Sequence, residues 1–313
     1  MRGYDGRLHG VDLFVDALGR YGVEHVPGLQ EDVATGMSTG YASTRRYHAD
    51  GEESVCPLGV VNLHVTPGLA HGLGNVFGAM YGGVPMLVTA GNHELDCRHE
   101  EPLLTGDLER LAAQFCKDSA EVTHVDALPM LLRRAVRTAL TPPTGPVFLS
   151  LPADVMQTET DATPERLGPI PDPAAGDPEA VETAADHLVA ADRLVLVVGD
   201  HVARAGTDAV DAAVRLAEAA GGRVHGEILA CEVNFPTDHE QWVSFVGPGE
   251  DVASILLTPT RWRSWGVRPT PRCCGTSARS SPMTRRSSRP PATPTRSART
   301  TPPTRPSSAT PAG

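Results

Sequence analysis

The sequence predicts an α/β protein in which parallel sheets are flanked by helices. Its apolar stretches, such as residues 84–90 and 146–151, are short and nearly continuous rather than alternating with polar residues. Strands with this pattern are buried on both faces, which is typical of parallel sheets covered by helices. Between them lie stretches with the apolar spacing of helices, such as residues 103–115 and 127–140. The alternation of the two patterns predicts strand–helix–strand units.

Two such units follow one another along the chain. In residues 1–155 the predicted elements are strands at 59–65, 84–90 and 146–151 and helices at 67–81, 103–115 and 127–140. Residues 156–178 are acidic and rich in Pro, Thr and Gly, which predicts an interdomain linker. The second unit, over 179–257, has predicted helices at 180–191 and 209–220 and strands at 193–200 and 223–229. We expect it to be a partial Rossmann-like domain.

Charge divides the chain near residue 257. The formal net charge is -11, yet all 38 acidic residues lie within 1–251, whereas 258–313 contains 11 arginines and no acidic residue. The last segment consists mainly of Pro, Ser, Thr and Arg and shows no hydrophobic period. Such a segment cannot bury enough apolar surface to offset its chain entropy, so we expect it to be disordered.

Composition also excludes several classes of protein. No apolar run is long enough to span a bilayer, and the N-terminus has no apolar stretch of the kind found in signal peptides. The six cysteines are scattered without metal-ligand spacing, so we expect no metal site built by this chain and a reduced, cytoplasmic location. Beyond Trp262 and Trp265 the basic tail has no aromatic residues among its arginines, so nucleic acid is not an expected partner.

Two stretches carry candidate functional residues. Residues 28–42 place Glu31 where a short strand meets a helix rich in Ala and Gly, and residues 62–75 place His64 at the end of a buried strand. Ligands of open α/β sheets bind at the carboxyl ends of the strands, where we expect both side chains. A structural explanation is open for each residue. Glu31 is a favourable charge at a helix N-terminus, and a histidine at a strand end is often structural.

These stretches resemble the thiamine-diphosphate-dependent decarboxylase family, in particular its benzoylformate decarboxylase and acetolactate synthase branches. The resemblance covers residues 8–257 and is carried, in order, by LQEDVATGMSTGYA, NLHVTPGLAHGLGN, PMLVTAGN, HEEPLLTGDL and PPTGPVFLSLPADV. It implies a pyrimidine-binding domain over residues 1–155. It also implies a thiamine diphosphate cofactor held with Mg²⁺, a small 2-oxo acid substrate and a homo-oligomer.

The same resemblance implies roles for three residues. Glu31 matches the glutamate that hydrogen-bonds the aminopyrimidine ring of the cofactor, and His64 matches the histidine that exchanges a proton near the substrate carbonyl. Asn75, on the following helix, is expected to bind the cofactor in the same pocket. Acetolactate synthases usually carry Ser-Gly-Pro-Gly without a histidine at this turn, so His64 favours decarboxylation. An acetolactate-synthase-like carboligase is the alternative, and a non-catalytic binding protein that uses its basic tail is the alternative from another class.

The sequence departs from the family pattern in three places. Between a predicted strand at 22–26 and a strand end at 28–30 lies only Pro27, although a parallel crossover needs about a dozen residues. A segment near 26–28 is therefore missing, and its loss should uncover an apolar face of a neighbouring helix or strand. The family's Gly-Asp-Gly…Asn block, which holds Mg²⁺ and the diphosphate, has no counterpart here. We therefore expect a fragment that is inactive on its own.

The third departure is the tail from about residue 257, which we interpret as a frameshift product. If Arg263 uses a CGN codon and Ser264 a TCN codon, the codons for residues 261–266 read one base out of register give apolar–Ala–apolar–apolar–Gly, the buried strand that the family has at this point. Sequencing of the gene is expected to show a shift of one base near codon 257. An uninterrupted reading frame in independent isolates would contradict the hypothesis.

Overall fold

A computed structural model describes residues 7–28, 30–48, 56–171 and 175–250, together with the main chain of 261–265. Its first sheet is built from four strands: β1 Gly59–His64, β2 Met86–Asn92, β3 Ser119–Glu121 and β4 Pro146–Pro152. Their order is β1-β2-β4-β3, and every neighbouring pair is parallel. The carboxyl ends of all four strands therefore lie at one edge of the sheet.

Helices cover both faces of this sheet. They are α1 Gly10–Arg20, α2 Glu31–His48, α3 Val65–Gly82, α4 Leu108–Ala112, α5 Leu128–Leu140 and α6 Ala153–Gln157, with 3-10 turns at Leu95–Glu100 and Val125–Ala127. One face packs against α1 and α5 in a core that includes Leu13 and Leu132. The opposite face packs against α2, α3 and α4 in a second core around Val76 and Phe148. Burial on both faces explains why the strands are continuously apolar.

The second sheet is smaller and again parallel. Its strands are β5 Leu194–Val198, β6 Arg223–Gly226, β7 Trp242–Phe245 and β8 Arg261–Trp265, in the order β7-β6-β5-β8. The accompanying helices are α7 Pro178–Val189, α8 Asp200–Arg204 and α9 Thr207–Ala220. Leu196, Ala217 and Phe235 belong to its core. Across the described ranges, no helix is both long and apolar enough to cross a membrane.

The predicted fold class is confirmed, since both units are parallel sheets flanked by helices. The strands predicted at 59–65, 84–90, 146–151, 193–200 and 223–229 are all present, with ends shifted by a few residues. Residues 158–171 and 175–177, within the predicted linker, form no helix and only an isolated bridge between Glu159 and His9.

Most of residues 258–313, for which the sequence predicts disorder, lie outside the described residues. The frameshift interpretation of this basic tail concerns the same residues. Within this segment, the main chain of residues 261–265 forms β8 beside β5. The physical reason is that β5 is buried and needs hydrogen-bond partners along both of its edges.

The strand predicted at 22–26 does not form, which corrects the sequence prediction. Residues 23–28 have no helix or strand assignment. The main-chain N–H of Asn62 donates a hydrogen bond to the Pro27 carbonyl at 3.1 Å, and this bond attaches the segment to β1. The reason is geometric, because Pro27 alone cannot supply the crossover that would place two parallel strands side by side.

An apolar cavity lies beside α1, next to residues 23–28. Its volume is about 590 Å³, and its lining includes Phe14, Leu18, Val23 and Val26 from the N-terminal segment and Leu151 from β4. Two valines of α1 that also line it are each 48% exposed, and they are Val11 and Val15. Apolar side chains of α1 are thus exposed beside the residues at which we propose that a segment is missing.

This uncovered surface should bind a hydrophobic dye in the folded state. We expect Val15→Gln to lower the fluorescence of bound anilinonaphthalene sulfonate by about half, because it removes apolar lining from the cavity. The free energy of unfolding should change by less than about 0.5 kcal/mol, since the side chain is half exposed. Val181→Gln is the matched control, because Val181 is 61% exposed on α7 and does not line the cavity. Equal dye fluorescence in both variants would contradict the assignment.

Candidate functional site

Glu31 is the first residue of α2 and is presented by a tight turn. The preceding Gln30 has φ 55°, a left-handed conformation that redirects the chain into the helix. The first turn is closed by the Ala34 amide, which donates to the Gln30 carbonyl at 2.8 Å, and by Thr35 Oγ1, which donates to the Glu31 carbonyl at 2.6 Å. The Glu31 side chain is 27% exposed. Its carboxylate is thus available to a ligand while its main chain is fixed.

His64 is the last residue of β1 and directly precedes α3, with no loop between them. Val65 makes this abrupt turn with φ 40°. A positive φ is rare for a β-branched residue, and strain of this kind persists only where the surroundings enforce it. His64 lies beside Gly91 of β2 in the sheet register, and its side chain is exposed at the carboxyl edge.

The structure brings Glu31 and His64 to the same cavity. This site cavity has a volume of about 420 Å³ and is lined by Gly28, Gln30, Glu31, Asn62, Leu63, His64 and Gly91. Next to the cavity lies the exposed ring of His71, whose Nδ1 is 4.0 Å from Glu31 Oε2. The sequence did not single out this histidine as a candidate. The sequence feature that could have identified His71 is its position on α3, two helical turns after His64.

The structure places Asn75 differently. Its Nδ2 donates to the Asp32 carbonyl at 2.6 Å, which links α3 to the first turn of α2. The site cavity is lined by other residues. Asn75 therefore supports the helix that carries Glu31 rather than facing the cavity.

The charges around the site cavity decide what kind of group fits it. Among its lining residues Glu31 is the one carboxylate, and none is a lysine or arginine. Gly68 of α3 widens the space beside it, because a methyl group there would lie 3.0 Å from Glu31 Oε1 and 3.2 Å from His64 Cβ. A nitrogen heterocycle with ring N–H donors fits this arrangement, whereas a phosphate would face a carboxylate without a compensating cation.

A second polar cluster at the carboxyl edge of the sheet was missed by the sequence analysis. Asn92 Nδ2 and Ser150 Oγ donate to Glu121 Oε2 at 2.9 and 2.8 Å, and Arg98 donates to Glu121 Oε1 at 2.7 Å. Burial on its own would raise the pKa of Glu121, but these hydrogen bonds and the Arg98 charge lower it overall. No spacing rule links residues so far apart, so only the sheet order reveals the cluster.

Two partly buried cysteines in the described ranges are not reactive near neutral pH. Burial raises the pKa of Cys56 to about 11 and that of Cys116 to about 12, so both thiols stay protonated near neutral pH. Among the residues that the structure describes, no three His, Cys, Asp or Glu side chains converge to hold a metal ion.

Comparison with known proteins assigns the N-terminal part of the chain. Residues 9–115 match the family described as thiamine pyrophosphate enzyme, N-terminal TPP binding domain. The chain is 30% identical over 218 residues to a benzoylformate decarboxylase of Pseudomonas aeruginosa, covering 69% of this chain and 39% of that protein. It is 27% identical over 243 residues to the acetolactate synthase large subunit of Corynebacterium glutamicum, covering 74% of this chain and 36% of the relative.

The fold is shared with solved enzymes over most of the described chain. The thiamine diphosphate-dependent 4-hydroxybenzoylformate decarboxylase of Rhodococcus jostii RHA1 superposes with a TM-score of 0.67 at 24% identity, which shows the fold alone. The match covers 79% of this chain and 50% of that one. The chain thus spans half or less of the length of these relatives.

The Glu121 cluster makes a prediction about acid stability. A carboxylate with a lowered pKa in the folded state stabilises the protein above the pKa of the unfolded state and loses this effect as the pH falls through the folded value. We expect Glu121→Gln to reduce the free energy of unfolding by about 1–3 kcal/mol at pH 7, since Arg98 loses its carboxylate partner and keeps only its hydrogen bonds to the His93 carbonyl. The deficit should shrink below about pH 4. Urea unfolding across this range is the measurement, and a deficit that is independent of pH would contradict it.

Proposed function

We propose that this chain, whose residues 9–115 belong to the N-terminal domain family of thiamine pyrophosphate enzymes, carries the pyrimidine-binding half of a 2-oxo acid decarboxylase site. The observation that supports this proposal is the shared cavity of Glu31 and His64 at the carboxyl edge of the first sheet. The benzoylformate decarboxylase relative favours decarboxylation as the reaction of the complete enzyme. By itself the chain is proposed to be inactive.

Each side chain has a defined task in this proposal. The Glu31 carboxylate accepts a hydrogen bond from a pyrimidine ring nitrogen and thereby holds a proton at that atom. Bound thiamine diphosphate would supply the nucleophilic carbon and accept the electrons released with carbon dioxide. His64 donates or accepts a proton near the substrate carbonyl. Asn75 is proposed to act on the cofactor only indirectly, because it fixes the helix of Glu31 through Asp32.

The diphosphate half is proposed to come from outside these 313 residues. A diphosphate needs cations, and the site cavity offers one carboxylate and no lysine or arginine among its lining residues. Mg²⁺ would be held by oxygen ligands that accompany the diphosphate there. The complete site would then form in an oligomer, where a further domain faces the cavity of Glu31.

The location and the rival reaction complete the proposal. We propose a cytoplasmic chain, because the described cysteines Cys56, Cys97, Cys116 and Cys231 are free thiols. The acetolactate synthase relative keeps a carboligase as the second candidate. Product analysis of an intact homologue with pyruvate and benzoylformate separates the two, because a carboligase joins two substrates whereas a decarboxylase releases an aldehyde.

The half-site proposal predicts weak binding that does not depend on the diphosphate. In titrations of the full chain followed by NMR, thiamine and thiamine diphosphate with Mg²⁺ should bind equally, with dissociation constants in the millimolar range. Glu31→Gln should weaken thiamine binding about tenfold, the loss of one charge-assisted hydrogen bond. Asp32→Asn is the control, because Asp32 carries the same charge in the same helical turn but is exposed and lies outside the cavity.

Two results would contradict this prediction. Micromolar binding of thiamine diphosphate by the isolated chain would refute the half-site. Equal thiamine affinity in the Glu31→Gln and Asp32→Asn variants would refute the role of Glu31.

A further inference from the structure

The first turn of α2 lies unusually close to α3. On α3, Gly68 and Gly72 are one helical turn apart and both face α2. A methyl group on Gly72 would lie 3.0 Å from Thr35 Oγ1 and 3.0 Å from Leu63 Cδ1. Contacts this short require the neighbouring atoms to move. Side chains of α2 and β1 therefore occupy the space that the two glycines leave open.

The contacts of Gly68 differ from those of Gly72 in a way that concerns function. A methyl group on Gly68 would meet Oε1 and Cγ of Glu31 at 3.0 and 3.2 Å and Cβ of His64 at 3.2 Å. Oε1 and Cγ of Glu31 can move by rotation of the side chain, whereas Cβ of His64 is fixed to its main chain. An added methyl group at this position would therefore displace the Glu31 side chain before it displaces a helix.

The main chain around Glu31 is fixed independently. Asn75 Nδ2 donates to the Asp32 carbonyl at 2.6 Å, and Thr35 Oγ1 donates to the Glu31 carbonyl at 2.6 Å. Neither bond involves the Glu31 carboxylate. A methyl group added at Gly68 would therefore change the position of the Glu31 carboxylate while the main chain around Glu31 stays in place.

We infer that Gly68 is a positioning residue, which determines where the Glu31 carboxylate lies relative to His64. It acts through Glu31 and makes no contact with a ligand of its own. The inference rests on the proposed function for its chemical meaning, since Glu31 would bind the pyrimidine ring. Its structural content, the dependence of the Glu31 and His64 side chains on Gly68, holds without any ligand.

Gly68→Ala in the full chain tests the inference against Gly78→Ala. Gly78 lies on the same helix, and a methyl group there would meet no atom within 4 Å. Both substitutions exchange glycine for a better helix former, so Gly78→Ala should raise the melting temperature by about 2 °C. We expect Gly68→Ala to weaken thiamine binding at least tenfold and to shift the ring signals of His64 and His71 in NMR spectra. Gly78→Ala should change neither.

The outcomes separate this inference from the proposed function. A chain that does not respond to thiamine at all contradicts the proposed function, and the histidine ring signals without ligand then decide the inference. Ring signals of His64 that are the same in Gly68→Ala and Gly78→Ala would overturn it, as would unchanged thiamine affinity in a chain that binds thiamine.

A double-substitution cycle covers the case in which Gly68→Ala lowers stability. In a Glu31→Ala background the added methyl group no longer meets Oε1 or Cγ of Glu31. The melting temperature lost through Gly68→Ala should then be largely recovered. An equal loss in both backgrounds would place the conflict elsewhere and overturn the inference.

Discussion

The close approach of α2 to β1 and α3 is the constraint on which the candidate site depends. A methyl group on Gly59 would lie 2.5 Å from the Ser38 carbonyl, and Ser38 Oγ donates to the Val60 carbonyl at 2.8 Å. These contacts seat the middle of α2 directly on the main chain of β1, while Gly68 admits its first turn to α3. Because α2 carries one candidate residue and β1 the other, the packing of small residues decides the geometry of the site.

Much of this arrangement could be predicted from the sequence, and what could not has physical reasons. Continuous apolar runs identified the buried strands, and the strand-end rule placed His64 at the carboxyl edge. Glu31 lines the same cavity from the first turn of α2, although residues 23–28 before it form no strand. The short strand Ser119–Glu121 was missed because three half-buried residues leave no periodic signal. The side chain of Asn75 was assigned to the pocket, whereas its hydrogen bond to Asp32 depends on how two helices cross. Crossing geometry is a property of packed helices and is not encoded in the spacing of one segment.

The segment that we propose to be missing near residues 26–28 would change the surroundings of the site as well as the sheet. The apolar cavity beside α1 and the site cavity share two lining residues, Asn62 and Gly91, so they adjoin at the carboxyl edge. Residues 23–28 lie across this region with a single hydrogen bond from Asn62 to Pro27 as the link to β1. Water that enters the apolar cavity can therefore approach the Glu31 side chain, and a high local dielectric weakens hydrogen bonds to a carboxylate. This is a second reason for the weak binding that we predict, in addition to the lack of lysine and arginine among the residues that line the site cavity.

The strand β8 pairs with β5 through the main chain of residues 261–265. β5 is apolar on both faces and fully buried, so the polar groups of its main chain need partners along both edges. β6 supplies them along one edge, and the main chain of 261–265 supplies them along the other. Such pairing uses only main-chain atoms, which Arg261–Trp265 possesses whatever its side chains are. A strand at this position therefore agrees with an altered reading frame as readily as with an intact one. Main-chain hydrogen bonds do not distinguish the two sequences. The reading frame is therefore tested by sequencing the gene and by the identity of the side chains that the sheet would otherwise bury.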